Sequence, residues 1–364
     1  MRGEDEKQGG AVCVIVMEQR VPQDHPLRKI RDITDRVLKE LSPVFGAMYS
    51  KVGRPSVPPE RLLKSMLLMA LYTVRSERMF CEQLSYNLLF RWFLDMDLES
   101  PAFDASTFSK NRDRLLEHDV AGQFFHQVVE EARRAGVMSD DHFTVDGTLI
   151  EAWASLKSFK PKKPTKPESP PDDPGNPTVD FHGQKRSNET HASTTDPEAK
   201  LMRKGNNHEA RLYFHGHGLT ENRNGLLLDV RITEANGRAE RETALEMIGD
   251  SVPGKRRVTV GADKGYDTRD FVERAREKWA TPHVAQNDGP HHGSAIDGRT
   301  TSQPGYAISQ RLRKRIEETW GWMKTVGNFR KTRWKGKQRT QLAAYMVGAA
   351  YNLLRLARLQ PAAA

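Results

Sequence analysis

The chain contains little cysteine and no long apolar run near its start, and both shortages exclude classes of protein. Only two cysteines, Cys13 and Cys81, occur in 364 residues, far apart and in no metal-binding spacing. This count excludes a disulfide framework and a cysteine-based zinc site, and it fits a reducing compartment. The longest apolar run near the N-terminus, residues 11–17, is too short to span a membrane. We therefore expect a cytoplasmic protein without a membrane partner.

Acidic residues are in deficit. The sequence has 57 Lys and Arg against 48 Asp and Glu, a formal net charge of +9 and a pI of about 9.4. Such an excess favours a phosphate-rich partner, although basic enzymes with other substrates exist. The strongest local concentration, here called the basic stripe, contains no acid and has six basic residues: Arg330, Lys331, Arg333, Lys335, Lys337 and Arg339.

Helical signals dominate residues 26–135. One helix carries a buried face and stops at Pro43, and a single further helix is predicted across residues 77–93. Another begins near Ser106, with Asp104 or Ser106 as its N-cap, and presents basic side chains: Lys110, Arg112 and Arg114. This helix fits either the recognition helix of a helix-turn-helix unit or a capped surface helix with a solvated basic face.

Strand signals follow residue 136, and two of them carry an acid. Asp146 lies within a β-prone stretch next to Gly147, where an acid is unfavourable unless it is paired or binds metal. Asp263 stands at the end of a predicted strand, residues 258–262, where open α/β sheets place ligands. The alternatives are that Asp146 opens a turn and that Asp263 caps a helix. Residues 212–219 and 226–233 read as two further strands joined at Asn224-Gly225.

A third acid lies on a helix. Glu317 borders an apolar stripe and has basic neighbours on its helix; the stripe consists of Ile308, Leu312, Ile316, Trp320 and Met323. Asp196, which precedes a proline, is a rival acid that we rank as accessory. His283, in a predicted short strand at residues 282–287, and the loop pair His291 and His292 suggest a metal site, but paired histidines in a Gly-rich loop are more often solvated.

Two aspartates at strand ends and a glutamate on a helix can converge over one sheet, in a ribonuclease-H-like arrangement. Cleavage or joining of a phosphodiester needs an activated oxygen nucleophile and relief of charge on the leaving oxygen, which two divalent ions about 4 Å apart supply. Mg²⁺ prefers carboxylate oxygens and waters, so a few acids suffice. Asp146, Asp263 and Glu317 are therefore candidate catalytic and metal-binding residues.

The same residues carry a family resemblance. Arg313, Glu317 and Lys324 stand at the spacings of a Y-x2-R-x3-E-x6-K signature, with Gln310 at the tyrosine position. Together with the segments TVDGT, GADKGYD and PHVAQN and the helical segment from Gly53, they resemble a bacterial insertion-sequence transposase of the DDE type, in the branch with this signature. The resemblance covers roughly residues 25–355.

The resemblance implies a function. The enzyme would bind the terminal inverted repeats of its element, cleave a strand and join the freed 3′-OH to target DNA, as a homodimer in the synaptic complex. Asp146, Asp263 and Glu317 would hold two Mg²⁺ ions, which Mn²⁺ could replace. Arg313 and Lys324 would contact double-stranded DNA, as would Lys110, Arg112, Arg114 and the basic stripe. A nucleoid-associated location follows from such a partner.

The implied architecture is α/β, with an all-α N-terminal DNA-binding domain and a ribonuclease-H-like catalytic domain, a mixed sheet flanked by helices. We expect a disordered tail at 1–24, the helical domain at 25–136, the catalytic domain at 137–359 and a tail at 360–364. A flexible Pro- and Lys-rich insert is expected at 155–200. Alternatives are a nuclease that does not join strands, a decayed DNA-binding repressor, and a carboxylate-pair sugar hydrolase.

Overall fold

The structure is a computed structural model. It describes residues 14–50, 52–53, 56–162, 180–181, 184–205, 208–237, 239–252, 256–289 and 293–360. Parts of the expected tails and of the expected flexible insert, and also His291 and His292, lie outside the described residues. No helix in the described ranges is long and apolar enough to cross a membrane.

Up to residue 137, the described elements are all helices. They are α1 (Met17–Arg20), α2 (Pro26–Glu40), α3 (Ser42–Met48), α4 (Pro59–Leu71), α5 (Glu77–Leu84), α6 (Leu88–Phe93), α7 (Ala105–Glu117) and α8 (Val120–Arg134). Asp104 caps α7 through Ser106 N–H, as the sequence indicates.

Two expectations for this helical region were wrong. The helix predicted across residues 77–93 is two helices, because Asn87 leaves the first and its side chain accepts the Phe90 N–H to start the second. Residues 17–20 of the expected disordered tail form α1. Glu18 in that turn accepts hydrogen bonds from Arg28 and from the Trp92 indole, which anchors the segment.

Strands and helices then alternate. The strands are β1 (His142–Glu151), β2 (Phe159–Pro161), β3 (Asp180–Phe181), β4 (Gln184–Lys185), β5 (His191–Ser193), β6 (Lys200–Met202), β7 (Arg211–Glu221), β8 (Leu227–Glu234), β9 (Val258–Ala262) and β10 (Ala280–Val284). The helices are α9 (Ala239–Ser251), α10 (Arg269–Glu277), α11 (Gly298–Thr301), α12 (Pro304–Leu312), α13 (Arg315–Thr325) and α14 (Lys337–Leu359).

The main sheet is mixed and runs β10-β9-β1-β7, with β6 and β8 both paired to the far edge of β7. β10, β9 and β1 are parallel, whereas β1 and β7 are antiparallel. Gly225, at a φ of 67°, turns β7 into β8, as predicted from Asn224-Gly225. The ends of the expected insert are ordered: β2 pairs with β5 in a small separate sheet.

Helix α14 connects the two halves of the molecule. It packs on α2, α4 and α8 and on β8, and all contribute to one hydrophobic core. Its Asn352, fully buried, hydrogen-bonds both backbone groups of Leu227, and its Gln341 bonds the Ile232 N–H and the Val230 carbonyl. These side chains satisfy the free edge of β8, which would otherwise expose unpaired backbone groups.

Candidate active site

Asp146 and Asp263 meet where two parallel strands cease to pair. β1 and β9 are in register up to Thr144 and Gly261. Each aspartate lies two residues further along its strand, so the register brings the two acids level at the carboxyl edge of the sheet. Asp263 also accepts the Gly265 N–H at 2.7 Å, which starts a 3₁₀ turn at residues 264–266. Asp263 therefore has both roles that the sequence suggested: it caps this turn, and it lies close to Asp146.

Glu317 is carried to the same place by α13. One turn along, Trp320 is buried against β7, where a Cβ on Gly216 or Gly218 would lie 3.3 or 3.0 Å from its indole ring. Gly218 is the cross-strand partner of Asp146. Because these glycines allow a close approach of the helix, the Glu317 carboxylate comes near enough to raise the pKa of Asp146.

The surroundings of Asp146 disfavour its charged form. Burial is the largest cause, followed by the negative charges of Glu240 and Asp263, while a hydrogen bond from the Gly147 backbone opposes them and Glu317 adds a smaller repulsion. Together they raise the pKa of Asp146 from 3.8 to about 7. A nearby cation would reverse this shift, because it favours the carboxylate.

A fourth acid, Glu240, lies in this group and was missed from the sequence, where its segment was read only as a short helix. It sits in the first turn of α9 and accepts a hydrogen bond from the Tyr266 hydroxyl at 3.2 Å. Burial, followed by the charge of Asp263, raises the pKa of Glu240. The only signal in the sequence is Gly147, whose missing side chain leaves the space that Glu240 occupies.

Two basic residues border the acids. Lys324 donates to the Thr148 hydroxyl, two residues beyond Asp146 on β1. Burial, followed by the charges of Lys204 and Arg330, lowers the pKa of Lys324 from 10.5 to about 8, against a smaller opposing effect of Asp146.

Arg313 lies over β9, where a Cβ on Gly261 would be 3.4 Å from its Cβ. Gln310, at the position of the family's tyrosine, accepts from the Arg313 Nε at 3.1 Å and donates to the His283 carbonyl at 2.8 Å. The glutamine therefore fixes the arginine to the end of β10.

The helix that carries Glu317 differs from expectation. The predicted continuous stripe is interrupted at Arg313 and Lys314, between α12 and α13. Ile308 is consequently exposed, whereas Ile316, Trp320 and Met323 are buried. His283 lies in β10, as the predicted short strand indicates, and it is buried and shares a hydrogen bond of 2.6 Å with Ser309.

The chemistry of the donors fits a hard divalent cation. The acids present only carboxylate oxygens, the ligands that Mg²⁺ prefers, and their mutual repulsion is what a cation would relieve. Within the described ranges, no three His, Cys, Asp or Glu side chains are grouped closely enough to enclose an ion. This openness is compatible with Mg²⁺, which keeps several waters and takes one or two protein carboxylates together with substrate phosphates.

Asp196, the rival acid, has a structural role. It is 2% exposed, and its carboxylate accepts the Gly336 N–H at 2.9 Å. Glu198 accepts the Lys337 N–H at 2.8 Å. The two acids satisfy backbone donors at the start of α14 and place negative charge at its N-terminus, so Asp196 is removed from the active site.

The basic stripe contains both paired and unpaired charges. Lys331 bonds Glu151 at 2.8 Å, and Arg339 bonds Asp113 at 3.1 Å. Arg330, Lys335 and Lys337 form no ion pair within the described ranges. The side chain of Arg333 is exposed overall, although the part of it that packs on the protein, together with the charge of Arg75, lowers its pKa.

The predicted basic face of α7 is only partly available. Lys110 is exposed and Arg114 stacks on Tyr49, its guanidinium carbon 4.7 Å from the ring centre. Arg112 is 7% exposed, pairs with Glu77 and lies 5.0 Å from the Trp334 ring centre. As placed, Arg112 packs α7 against α5 and the basic stripe and does not offer its charge to a ligand, contrary to the sequence expectation.

The mixed sheet flanked by helices defines an α/β fold, and acidic residues lie at the carboxyl edge of this sheet. Residues 139–353, more than half of the chain, match the family model described as Transposase DDE domain, and residues 15–114 match the Transposase domain (DUF772). The chain therefore belongs to the DDE transposase family. It is a DNA-binding protein of DNA transposition, with chemistry of the polynucleotidyl-transferase type.

Solved structures show a looser likeness. A piggyBac transposase synaptic complex with hairpin DNA is 9% identical with a TM-score of 0.41, over 90% of this chain and 73% of that one. The Mos1 strand transfer complex is 9% identical with a TM-score of 0.20, over 85% and 79%. At such scores these likenesses carry no conclusion about this chain.

Proposed function

We propose that the protein cleaves DNA at the terminal inverted repeats of an insertion sequence and joins the freed 3′-OH to target DNA. One observation carries this proposal: a chain of the DDE family brings Asp146, Asp263 and Glu317 to one edge of its sheet, where burial, followed by the negative charges of neighbouring acids, raises the pKa of Asp146 to about 7. That excess of negative charge suits a site whose work includes binding cations against a polyanion.

The three acids would hold two Mg²⁺ ions, with Mn²⁺ able to replace them. When bound, the ions would activate the attacking oxygen and relieve charge on the leaving oxygen. The chain's own part is to fix the acids: the β1–β9 register sets the two aspartates, and Trp320 on the β7 glycines sets Glu317.

Arg313 and Lys324 would contact phosphates beside the scissile bond. Their positions over β9 and beside Thr148 support this role, and they support membership of the branch with the Tyr-Arg-Glu-Lys signature. Gln310 would do part of the tyrosine's work, because it already orients Arg313. A phosphate near Lys324 would restore the pKa that burial lowers.

The surrounding DNA would lie along unpaired basic residues. The candidates are Arg330, Arg333, Lys335 and Lys337 of the basic stripe, together with Lys110 and Arg114. Lys331 is a weaker candidate, because it already pairs with Glu151. The helical region 25–136 would bind the transposon end as the DNA-binding domain. Two ends must be held together for transposition, so we propose a homodimer in the synaptic complex.

The test is strand joining. Purified protein with Mg²⁺, a labelled duplex containing the element's end and a plasmid target should give joined product, and Asp146→Asn should abolish it while end binding persists. Cleavage without joining would favour a nuclease. End binding by the wild type without cleavage would favour a decayed repressor.

A further inference from the structure

Glu240 approaches the active-site strand from the face opposite to α13. Successive residues of a strand point to opposite faces, so Asp146 and Thr148 face one side and Gly147 the other. Thr148 meets Lys324 of α13. A Cβ built on Gly147 would lie only 2.4 Å from Glu240 Oε1 and 2.8 Å from His215 Nε2. The Glu240 carboxylate therefore fills the notch that the missing side chain leaves in β1, directly behind Asp146.

The position of Glu240 is fixed by groups that belong to the second catalytic acid. Tyr266, 1% exposed, donates its hydroxyl to Glu240 Oε1 at 3.2 Å, and this tyrosine closes the turn that begins at Asp263. Arg241, the next residue of α9, donates to the Gly265 carbonyl at 3.2 Å. The start of α9 is thus bound both to the Asp263 turn and to the backbone after Asp146.

A simpler explanation is that Glu240 only stabilises its helix. An acid in the first turn of a helix interacts favourably with the helix dipole. Glu242, two residues on, fits that explanation: it points to solvent and pairs with Arg274 at 2.9 Å. Glu240 is half-buried and forms no ion pair within the described ranges, and it faces the sheet. Helix stabilisation does not account for that orientation.

We propose that Glu240 is a fourth carboxylate of the active site, which binds through the Gly147 notch the divalent cation held by Asp146 and Asp263. This inference rests on the proposed function, because it uses the cation of that site. A further carboxylate adds a ligand that does not depend on DNA phosphates, so the free protein would retain a cation before DNA arrives.

The experiment is Mn²⁺ titration of the full chain without DNA, by calorimetry and by the loss of the free-ion electron-spin signal. Glu240→Gln keeps the size and the acceptor for Tyr266 but removes the charge, and it should weaken Mn²⁺ binding by about tenfold or more. Glu242→Gln is the matched control in the same helical turn and should stay within about twofold of the wild type. Thermal unfolding of the metal-free variants checks that each is folded.

Gly147→Ala provides a second variant that leaves the Glu240 charge in place. Its new Cβ would displace the flexible end of Glu240 and would also press on the His215 ring, so Mn²⁺ binding should weaken at least to a similar extent. The double variant Gly147→Ala with Glu240→Gln should bind no more weakly than either single variant, because both remove the same contact.

Two outcomes overturn the role of Glu240: unchanged Mn²⁺ affinity in Glu240→Gln, or no Mn²⁺ binding by the wild-type protein without DNA. A wild-type protein that binds Mn²⁺ through Glu240 but joins no DNA ends counts against the transposition proposal and leaves the ligand assignment standing. The two failures are therefore distinguishable.

Discussion

Asp196 is buried and Asp146 is partly buried, and the two acids differ in what surrounds them. Asp196 accepts the Gly336 N–H at the start of α14, so its carboxylate already has a partner within the fold. Burial, followed by the charges of Glu240 and Asp263 and a smaller repulsion from Glu317, raises the pKa of Asp146. An acid that the fold satisfies contributes to stability, whereas an acid that the fold leaves repelled is suited to bind something absent from the chain.

The largest expected difference between the two acids is in catalysis. Asp146→Asn should reduce strand cleavage by about 10³-fold or more, because loss of a cation ligand removes several kcal/mol of transition-state stabilisation. Asp196→Asn keeps an acceptor for Gly336 and should stay within about threefold of the wild type. The measurement is single-turnover cleavage of a labelled transposon end. Equal losses in both variants would contradict the distinction.

The effect of Asp146→Asn on stability should be opposite to its effect on catalysis: the variant should be more stable than the wild type, by an amount that depends on pH. The folded-state pKa of Asp146, about 7, is above the ordinary 3.8, so unfolding releases a proton between these values. The free energy of unfolding therefore falls as pH rises through this window, and the loss is complete above it. Without divalent metal, Asp146→Asn should be more stable than the wild type by about 2–4 kcal/mol at pH 8 and by little near pH 4.

Urea unfolding in EDTA at several pH values measures this difference. A gain for Asp146→Asn that is the same at pH 4 and pH 8 would show that its source is not the charge of Asp146. Glu242→Gln serves as the control, because its carboxylate is exposed and ion-paired.

A cation should remove the repulsion. Adding Mn²⁺ at 100 times its dissociation constant should stabilise the wild type by about 2.7 kcal/mol at pH 7.5. Asp146→Asn should gain far less, because it has lost the ligand. The readout is the unfolding midpoint with and without Mn²⁺. An equal gain in both proteins would place the bound ion elsewhere.

Replacing Asp196, the acid with a structural role, should have a smaller effect. Asp196→Ala removes the acceptor for the Gly336 N–H at the start of α14 and should lower the free energy of unfolding by about 1–2 kcal/mol. This loss should be similar with and without Mn²⁺. A loss that appears only when Mn²⁺ is present would return Asp196 to the active site.

Local sequence signals predicted the positions of helices and strands better than they predicted which side chains contact each other. The β-prone residues and the nearby glycines Gly147 and Gly265 located the strands that lead to Asp146 and Asp263, because those signals lie within a few residues. The burial of Arg112 was not predictable, since its partner Glu77 lies on another helix. The break at Arg313 and Lys314 has no proline or glycine to mark it.

Glu240 shows the same limit at the site itself. A glutamate in the first turn of a helix has an ordinary local explanation, and its sequence contains no sign of the strand that it faces. Only the packing of α9 on the sheet brings it to Gly147. Tertiary contacts between distant segments decided which acids are satisfied and which are repelled.

The contrast between paired and unpaired charges extends to the basic stripe, where the expected effect is the smallest. Lys335 and Lys337 have no ion pair within the described ranges, whereas Lys331 is paired with Glu151. If each free lysine meets one phosphate, replacing both by Gln should flatten the slope of log affinity against log salt by about 1.8. Lys331→Gln should change this slope little, because its charge is already compensated. The measurement is fluorescence anisotropy of an end-containing duplex over a salt series. An unchanged slope in the double variant would remove both lysines from the DNA interface, and a drop of about 0.9 in Lys331→Gln would show that DNA displaces its ion pair.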